Sequence, residues 1–232
     1  MNTFKTFYRL PKSKKKRLNE GGKRFFNKRF KKKPFFSIIT VVYNSEKYLE
    51  ETIKSVFNQS FKNFEYIIID GGSSDGTYRI IKKYEKKIDY WISEKDNGIY
   101  DAFNKGMNLS SGKYIGIVNS DDILLPNALA LLDQYDKENP NIDFIFGSVK
   151  KHWGILHGYR PEKIYYSWGF YSSHSTGFFI KRKSEKKVGL YNLKYKFHAD
   201  YDYFYRMIVK HKLQGVGTKK NELFGIFARG GF

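Results

Sequence analysis

Four short apolar, β-branched runs in the first 120 residues each end on an acid or an amide. Residues 35–42 stop at Tyr43 and Asn44, residues 64–69 at Asp70, residues 88–93 before Glu94, Asp96 and Asn97, and residues 113–118 at Asn119-Ser120-Asp121-Asp122. Runs of this length bounded by turn formers read as buried strands. Segments of helical period lie between them. Leu49, Ile53, Val56 and Phe57 share one face behind a cap at Asn44 or Ser45, Thr77–Tyr84 reads as a second helix, and Ile99–Leu109 as a third. Strand, helix, strand, helix predicts an α/β fold whose Rossmann-like, mostly parallel sheet is flanked by helices. Ligands in such sheets sit beyond the carboxyl ends of the strands, and here those ends carry acids. A cap or a turn accounts for each acid singly, but stability does not require all of them on one rim.

Further along, Pro126 opens a helix to about Asp136, residues 142–149 read as one strand, and residues 159–179 as loop plus strand. A last helix over residues 200–210 carries Tyr201, Phe204, Tyr205 and Ile208 on one face. The chain of 232 residues suffices for one catalytic domain over 35–232 preceded by a basic arm over 1–34. Cysteine is absent, which excludes a disulfide framework, a thiolate metal site and a cysteine nucleophile. No apolar run reaches the roughly 18 residues of a membrane span, so a soluble or peripheral protein is expected, cytoplasmic or on the inner face of a membrane.

The formal charge is +20, of which residues 1–34 supply +13 through 14 Lys or Arg and the single acid Glu20. Like charges in a block repel, which favours a solvated, flexible arm. The alternative is adsorption to an anionic membrane surface, where each basic residue contributes about 1 kcal/mol and Phe25, Phe26 and Phe30 can enter the interface. A nucleic-acid partner is not expected, since the sequence has no zinc ligand set, helix-turn-helix pattern or aromatic RNA-binding signature.

The turn Gly71-Gly72-Ser73-Ser74-Asp75-Gly76 lacks the dinucleotide-binding spacing and follows the second strand, while the first strand-to-helix turn has no glycine. A Walker loop is also missing, which argues against dehydrogenases and P-loop enzymes. Asp121 and Asp122 can serve a diphosphate only if a hard cation such as Mg²⁺ or Mn²⁺ lies between carboxylates and phosphates. The cation then screens the leaving group as its charge grows.

Four segments in order carry a family resemblance. They are Ser37-Ile38-Ile39-Thr40-Val41-Val42-Tyr43-Asn44, the stretch from Tyr66 through Asp70 to Thr77, the stretch from Glu94 through Asp96-Asn97-Gly98 to Gly106, and Asn119-Ser120-Asp121-Asp122. Over about residues 35–210 the chain resembles the family 2 glycosyltransferases of the GT-A fold, particularly those building bacterial surface polysaccharides and lipopolysaccharide. The resemblance implies an inverting transferase of a hexose from a nucleotide-sugar donor, a UDP-sugar by preference, to a glycan or lipid-linked glycan acceptor. It implies that Thr40, Tyr43 and Asn44 border the nucleoside, that Asp70 accepts a hydrogen bond from the base, that Asp121 lies at the ribose and sugar, and that Asp122, with Asp121, holds the metal. Asn97, Asp101, Asn104 and Lys105 would line the donor pocket, the last two being equally compatible with an ordinary helix surface.

The inverting displacement needs a carboxylate to take the acceptor proton. His198-Ala199-Asp200-Tyr201-Asp202 stands where the family has an acid pair, with Ala199 in place of the usual Glu and Asp200 at the catalytic position. Asp202, two residues on, points elsewhere on the helix. His174-Ser175-Thr176-Gly177 resembles an acceptor-site segment in which the family usually has Gln where Ser175 stands. Tyr165, Tyr166, Trp168, Phe170 and Tyr171 serve either the core or sugar stacking. Members of the family usually continue past a segment like residues 227–232, so the resemblance implies a chain that stops short or has been cut.

Overall fold

A computed structural model describes residues 19–26, 33–166 and 175–227. The strands are β1 (Asn19–Gly21), β2 (Phe36–Val42), β3 (Phe64–Asp70), β4 (Tyr90–Ser93), β5 (Tyr114–Ile117), β6 (Ile123–Leu124), β7 (Phe144–Phe146), β8 (Ser148–Lys151), β9 (Gly154–Leu156), β10 (Phe178–Lys181), β11 (Gly215–Gly217) and β12 (Leu223–Ile226). The helices are α1 (Lys23–Phe26), α2 (Leu49–Phe57), α3 (Thr77–Tyr84), α4 (Ile99–Leu109), α5 (Ala128–Glu138), α6 (Arg182–Val188) and α7 (Ala199–Tyr205).

Among the described residues, eight strands form one sheet in the order β1-β4-β3-β2-β5-β10-β7-β11, and four form a second, β6-β12-β8-β9. β4, β3, β2 and β5 run parallel, whereas β10 is antiparallel to both its neighbours and β1 is antiparallel to β4. Ile39, Val41, Ile67 and Ile69 pack with Phe103 and Met107 of α4, Val188 of α6 and Tyr203 of α7. Ile38, Val42, Tyr66 and Ile68, with the opposite parity, pack with Ile53 of α2, Ile81 of α3 and Leu132 of α5. Helices on both faces leave the central strands no solvent side, which is why their sequences are continuous apolar runs.

Four local expectations are corrected. Residues 142–149 are two strands: the chain leaves the large sheet at Gly147, where any side chain would collide with the Phe224 ring, and enters the small one as β8. Neither Asn44 nor Ser45 caps α2 through its side chain; the helix starts after Tyr48, and the Ser45 carbonyl accepts from the N–H groups of Tyr48 and Leu49. The last helix is α7 followed by a π turn over Arg206–Lys210, in which the His211 N–H donates to the Arg206 carbonyl at 2.9 Å. The Arg206 side chain at that turn is drawn onto the carbonyls of Val188 and Leu190.

The basic N-terminus is the fourth. Residues 19–26 are not part of an arm: β1 pairs with β4 from Asn19 opposite Ser93 to Gly21 opposite Trp91. Arg24 is buried and donates to the Leu109 carbonyl at 2.8 Å and to the carboxylate of Glu65. Glu65, fully buried, also accepts from Ser37 Oγ and from the Ser111 N–H and hydroxyl. An acid inside the apolar run 64–69 is costly unless a cation and donors are buried with it, and Arg24 is that cation. Among the described residues, no helix is long and apolar enough to cross a membrane.

Candidate functional site

The strand order reverses at β2, with β3 and β4 on one side and β5 on the other. Beyond the carboxyl ends there opens a cleft of ≈ 410 Å³, a volume typical of small-molecule sites. Tyr43, Asn44 and Ser45 after β2 form one wall, Asp96 and Gly98 before α4 another, and Asn119, Ser120 and Asp121 after β5 the third. Phe227, just past β12, closes the cleft from the small sheet.

Each wall is built by motif residues bonding one another. Asn44 adopts a left-handed backbone (φ 48°), which Asn tolerates better than most residues. Its side-chain oxygen accepts from the Ser74 N–H at 2.8 Å and its own N–H donates to Ser73 Oγ at 2.8 Å, tying the β2 turn to the β3 turn. Asp70 is fully buried beneath these turns, accepting from the Ser73 N–H and hydroxyl and, at 2.6 Å, from Ser93 Oγ. Gly71 lets the Asp96 carboxylate lie against the turn, since a Cβ there would stand 2.6 Å from it and push it aside. Burial raises the Asp96 carboxyl above the usual carboxylate range, partly offset by the Gly98 N–H donated to it.

The sequence candidates therefore divide. Tyr43, Asn44 and Asp121 line the cleft, with Tyr43 58% exposed. Thr40 is buried in β2 and accepts from the Tyr66 hydroxyl at 2.9 Å, and Asp70 serves the turn, so neither forms the cleft wall. Asn97 donates from backbone and side chain to Asp101, and Lys105 lies 2.9 Å from Glu94 and 3.7 Å from Asp101, a charged cluster behind the Asp96 wall. Asn104 is buried and exchanges two hydrogen bonds with the Tyr191 backbone, at 2.9 and 2.8 Å. That role is neither donor pocket nor free surface.

The acid pair after β5 faces two ways. Asp121 opens onto the cleft, whereas Asp122 is fully buried and accepts from the Thr176 hydroxyl. Lys151 feels the Asp122 charge, although burial lowers its ammonium overall. Among the described residues, no three His, Cys, Asp or Glu side chains cluster as a metal site. Asn119 donates to Ser175 Oγ at 3.0 Å. His174, Trp168, Phe170 and Tyr171 lie outside the described residues.

Asp200 is exposed in the first turn of α7 and accepts from the Tyr100 hydroxyl at 3.1 Å. Asp202 is instead paired with Arg206 at 2.9 Å. Tyr100 stacks on Tyr191 with ring centres 5.6 Å apart, and Tyr191 on Tyr203 at 4.5 Å, so a three-ring column braces the Asp200 contact. Burial and the neighbouring Asp200 charge push the Tyr100 hydroxyl up to about 12. Sequence reasoning placed Asp96 only on the strand-end rim and assigned no role to Tyr100 or Phe227. Asp96 was visible inside its matching segment, but the Tyr100 contact spans 100 residues and the Phe227 contact depends on the second sheet.

Comparison with known proteins agrees with this arrangement. The model for glycosyl transferase family 2 matches residues 37–208. An uncharacterised glycosyltransferase of Methanocaldococcus jannaschii is 35% identical over 190 residues, covering 76% of this chain and 65% of the relative. A putative teichuronic acid biosynthesis glycosyltransferase of Bacillus subtilis is 40% identical over 93 residues, covering 39% of this chain and 37% of the relative. The chain thus spans less than two thirds of either relative. Among solved structures, S. aureus TarS 1–349 in complex with UDP-GlcNAc superposes with a TM-score of 0.70 at 20% identity, covering 85% of this chain and 59% of that one. A Pyrobaculum calidifontis mannosyltransferase in complex with GDP-Man and Mn²⁺ gives 0.65 at 16% identity, covering 85% and 58%. With a GT-A glycosyltransferase fold and a family match over most of its length, the chain belongs to glycosyltransferase family 2.

Proposed function

We propose that the chain is an inverting, metal-dependent hexosyltransferase that takes a UDP-sugar and glycosylates a hydroxyl of a glycan or lipid-linked glycan in surface polysaccharide or lipopolysaccharide assembly. The observation that carries this reading is the cleft at the strand switch point, with Asp121 on its wall and Asp200 exposed on a helix tied to the same side through Tyr100. Structures of the same fold are known with UDP-GlcNAc and with GDP-Man and Mn²⁺.

By donor type, Asp121 on the cleft wall and the buried Asp122 would hold a hard cation. Asp121 and Asp122 offer only oxygen, and ions of the Mg²⁺ type are held by one or two carboxylates with substrate phosphates and water completing the shell. Such a cation supplies charge screening for the departing diphosphate. Tyr43 and Asn44 border the nucleoside, with Asp96 facing them across the cleft. Asp200 takes the proton of the acceptor hydroxyl as its oxygen bonds to the anomeric carbon and the bond to the diphosphate breaks. The Tyr100 hydroxyl occupies one Asp200 oxygen and leaves the other for that proton. The basic residues that precede β1 would add attraction to an anionic membrane surface.

The test is a panel of nucleotide sugars assayed by thermal stabilisation and transfer, with and without Mn²⁺. A bound donor at a hundred times its Kd stabilises by about 2.7 kcal/mol. UDP-hexoses should stabilise the wild type only with the metal, and Asp122→Ala should lose both that dependence and transfer. Undiminished wild-type activity in chelator would refute the metal assignment.

A further inference from the structure

The segment between α6 and α7 carries four large apolar side chains turned to solvent: Phe197 is 79% exposed, Leu193 50%, Tyr195 49% and Leu190 37%. The segment is nevertheless fixed. Tyr191 is buried in the three-ring column, its backbone is clamped by Asn104, and Arg206 holds the Val188 and Leu190 carbonyls. Within it, Asn192 makes a turn, its carbonyl accepting from the Tyr195 N–H and its side-chain oxygen from the Lys194 N–H. A segment held this firmly could have folded its apolar residues inward, as it does Tyr191. Four such side chains within eight residues form a cluster that a partner surface would cover.

Charge identifies the partner. Exposed Lys194 and Lys196 alternate with Leu193, Tyr195 and Phe197, and α6 just before adds exposed Lys183, Lys186 and Lys187. The acid of residues 183–197 is Glu185, which is buried and so does not stand on that surface. Tyr165 and Tyr166, 68% and 65% exposed, stand beside α7 because the Tyr201 hydroxyl donates to the Ile164 carbonyl. Apolar and aromatic side chains interleaved with lysines are what enters the headgroup region of an anionic bilayer.

We infer that residues 190–197 are a membrane-docking loop that seats the start of α7, with Asp200, on an anionic lipid surface. Phe197 lies three residues from Asp200, so the exposed acid would face an acceptor hydroxyl presented at the bilayer. This deepens the lipid-linked acceptor reading above, but the contact itself is independent of the chemistry and is tested without it.

The chain has no cysteine, so one introduced thiol can be labelled selectively. Leu193→Cys in the full chain, carrying an environment-sensitive fluorophore, should shift to the blue and brighten several-fold with phosphatidylglycerol vesicles, and less with phosphatidylcholine vesicles. The same label at Lys137→Cys, on α5 across the sheet, should not respond. Lys194→Gln with Lys196→Gln should reduce the response at position 193. If the labelled protein sediments with the anionic vesicles while its emission stays unchanged, the basic N-terminus alone makes the contact and the loop proposal is wrong. A response to soluble oligosaccharide but not to vesicles makes the loop a glycan-stacking surface and equally overturns it. Loss of transfer with the vesicle response intact would count against the proposed reaction and leave the docking loop standing.

Discussion

The cleft wall and the α7 region beside α4 are built on opposite plans. On the side of β2, β3 and β4, polar motif residues are spent on one another: Asp70 on Ser73 and Ser93, Asn44 on Ser73 and Ser74, Asn97 on Asp101. On the α7 side, Asp200 is exposed with the Tyr100 hydroxyl on one oxygen, and the segment before it shows apolar side chains to solvent. A pre-bonded wall holds its shape before a ligand arrives, so little ordering cost falls on binding. An exposed carboxylate beside an open surface would suit the base proposed above.

Breaking the open side should have the largest effect. Asp200→Asn keeps size and some hydrogen bonding but accepts no proton, so transfer should fall by about 10²–10⁴-fold with donor affinity retained. Asp202→Asn, whose carboxylate serves Arg206, should instead lower stability and leave turnover near wild type. Measuring turnover and donor affinity for both decides the register: an inactive Asp202→Asn beside an active Asp200→Asn reverses the assignment.

The bonded side should answer in stability. Asp70→Asn disturbs a buried acceptor of three donor groups and should cost about 1–3 kcal/mol in urea unfolding. Wild-type stability with lost donor affinity would mean that Asp70 turns to the base, and the contrast between the two sides would weaken.

A smaller effect is expected from the bridge between them. Tyr100→Phe removes the hydroxyl on Asp200 and should lower kcat about tenfold, equivalent to about 1.4 kcal/mol, with the donor KM unchanged. Because that hydroxyl does not ionise until about 12, the deficit should be constant across the neutral range. A deficit in KM alone would place Tyr100 in the donor wall.

The smallest concerns Glu50, away from the cleft. Bonds from Lys83 and Tyr84, with Lys54 adding to them, lower its carboxyl from 4.5 to about 2. A depressed carboxylate stabilises the fold above its unfolded value and loses that contribution as pH falls through the folded one. Glu50→Gln should therefore lower Tm slightly at neutral pH, and the difference should close as pH falls from 4.5 towards 2. A large difference at neutral pH would be out of keeping with an exposed cluster.

Periodicity and strand-end chemistry determined much of this protein from the sequence alone. Both depend on neighbours in the chain: β2 to β5 are buried on both faces, so they read as apolar runs, and Ile99–Leu109 is a helix at the residues its period marks. The acids at the strand ends, and with them the cleft, followed from the parallel order. Only the tertiary structure decided what each motif side chain bonds to. Asn104 fastens a segment 87 residues away, and Asp70 serves its own turn rather than the cleft wall. It also decided that residues 19–26 join the sheet, since a charge run at 1–34 looks solvated unless an acid such as Glu65, 41 residues from Arg24, is known to be buried against it. Local pattern reports which face of an element is apolar; long-range pairing of polar groups has no period and emerges only when the sheet brings its strands together.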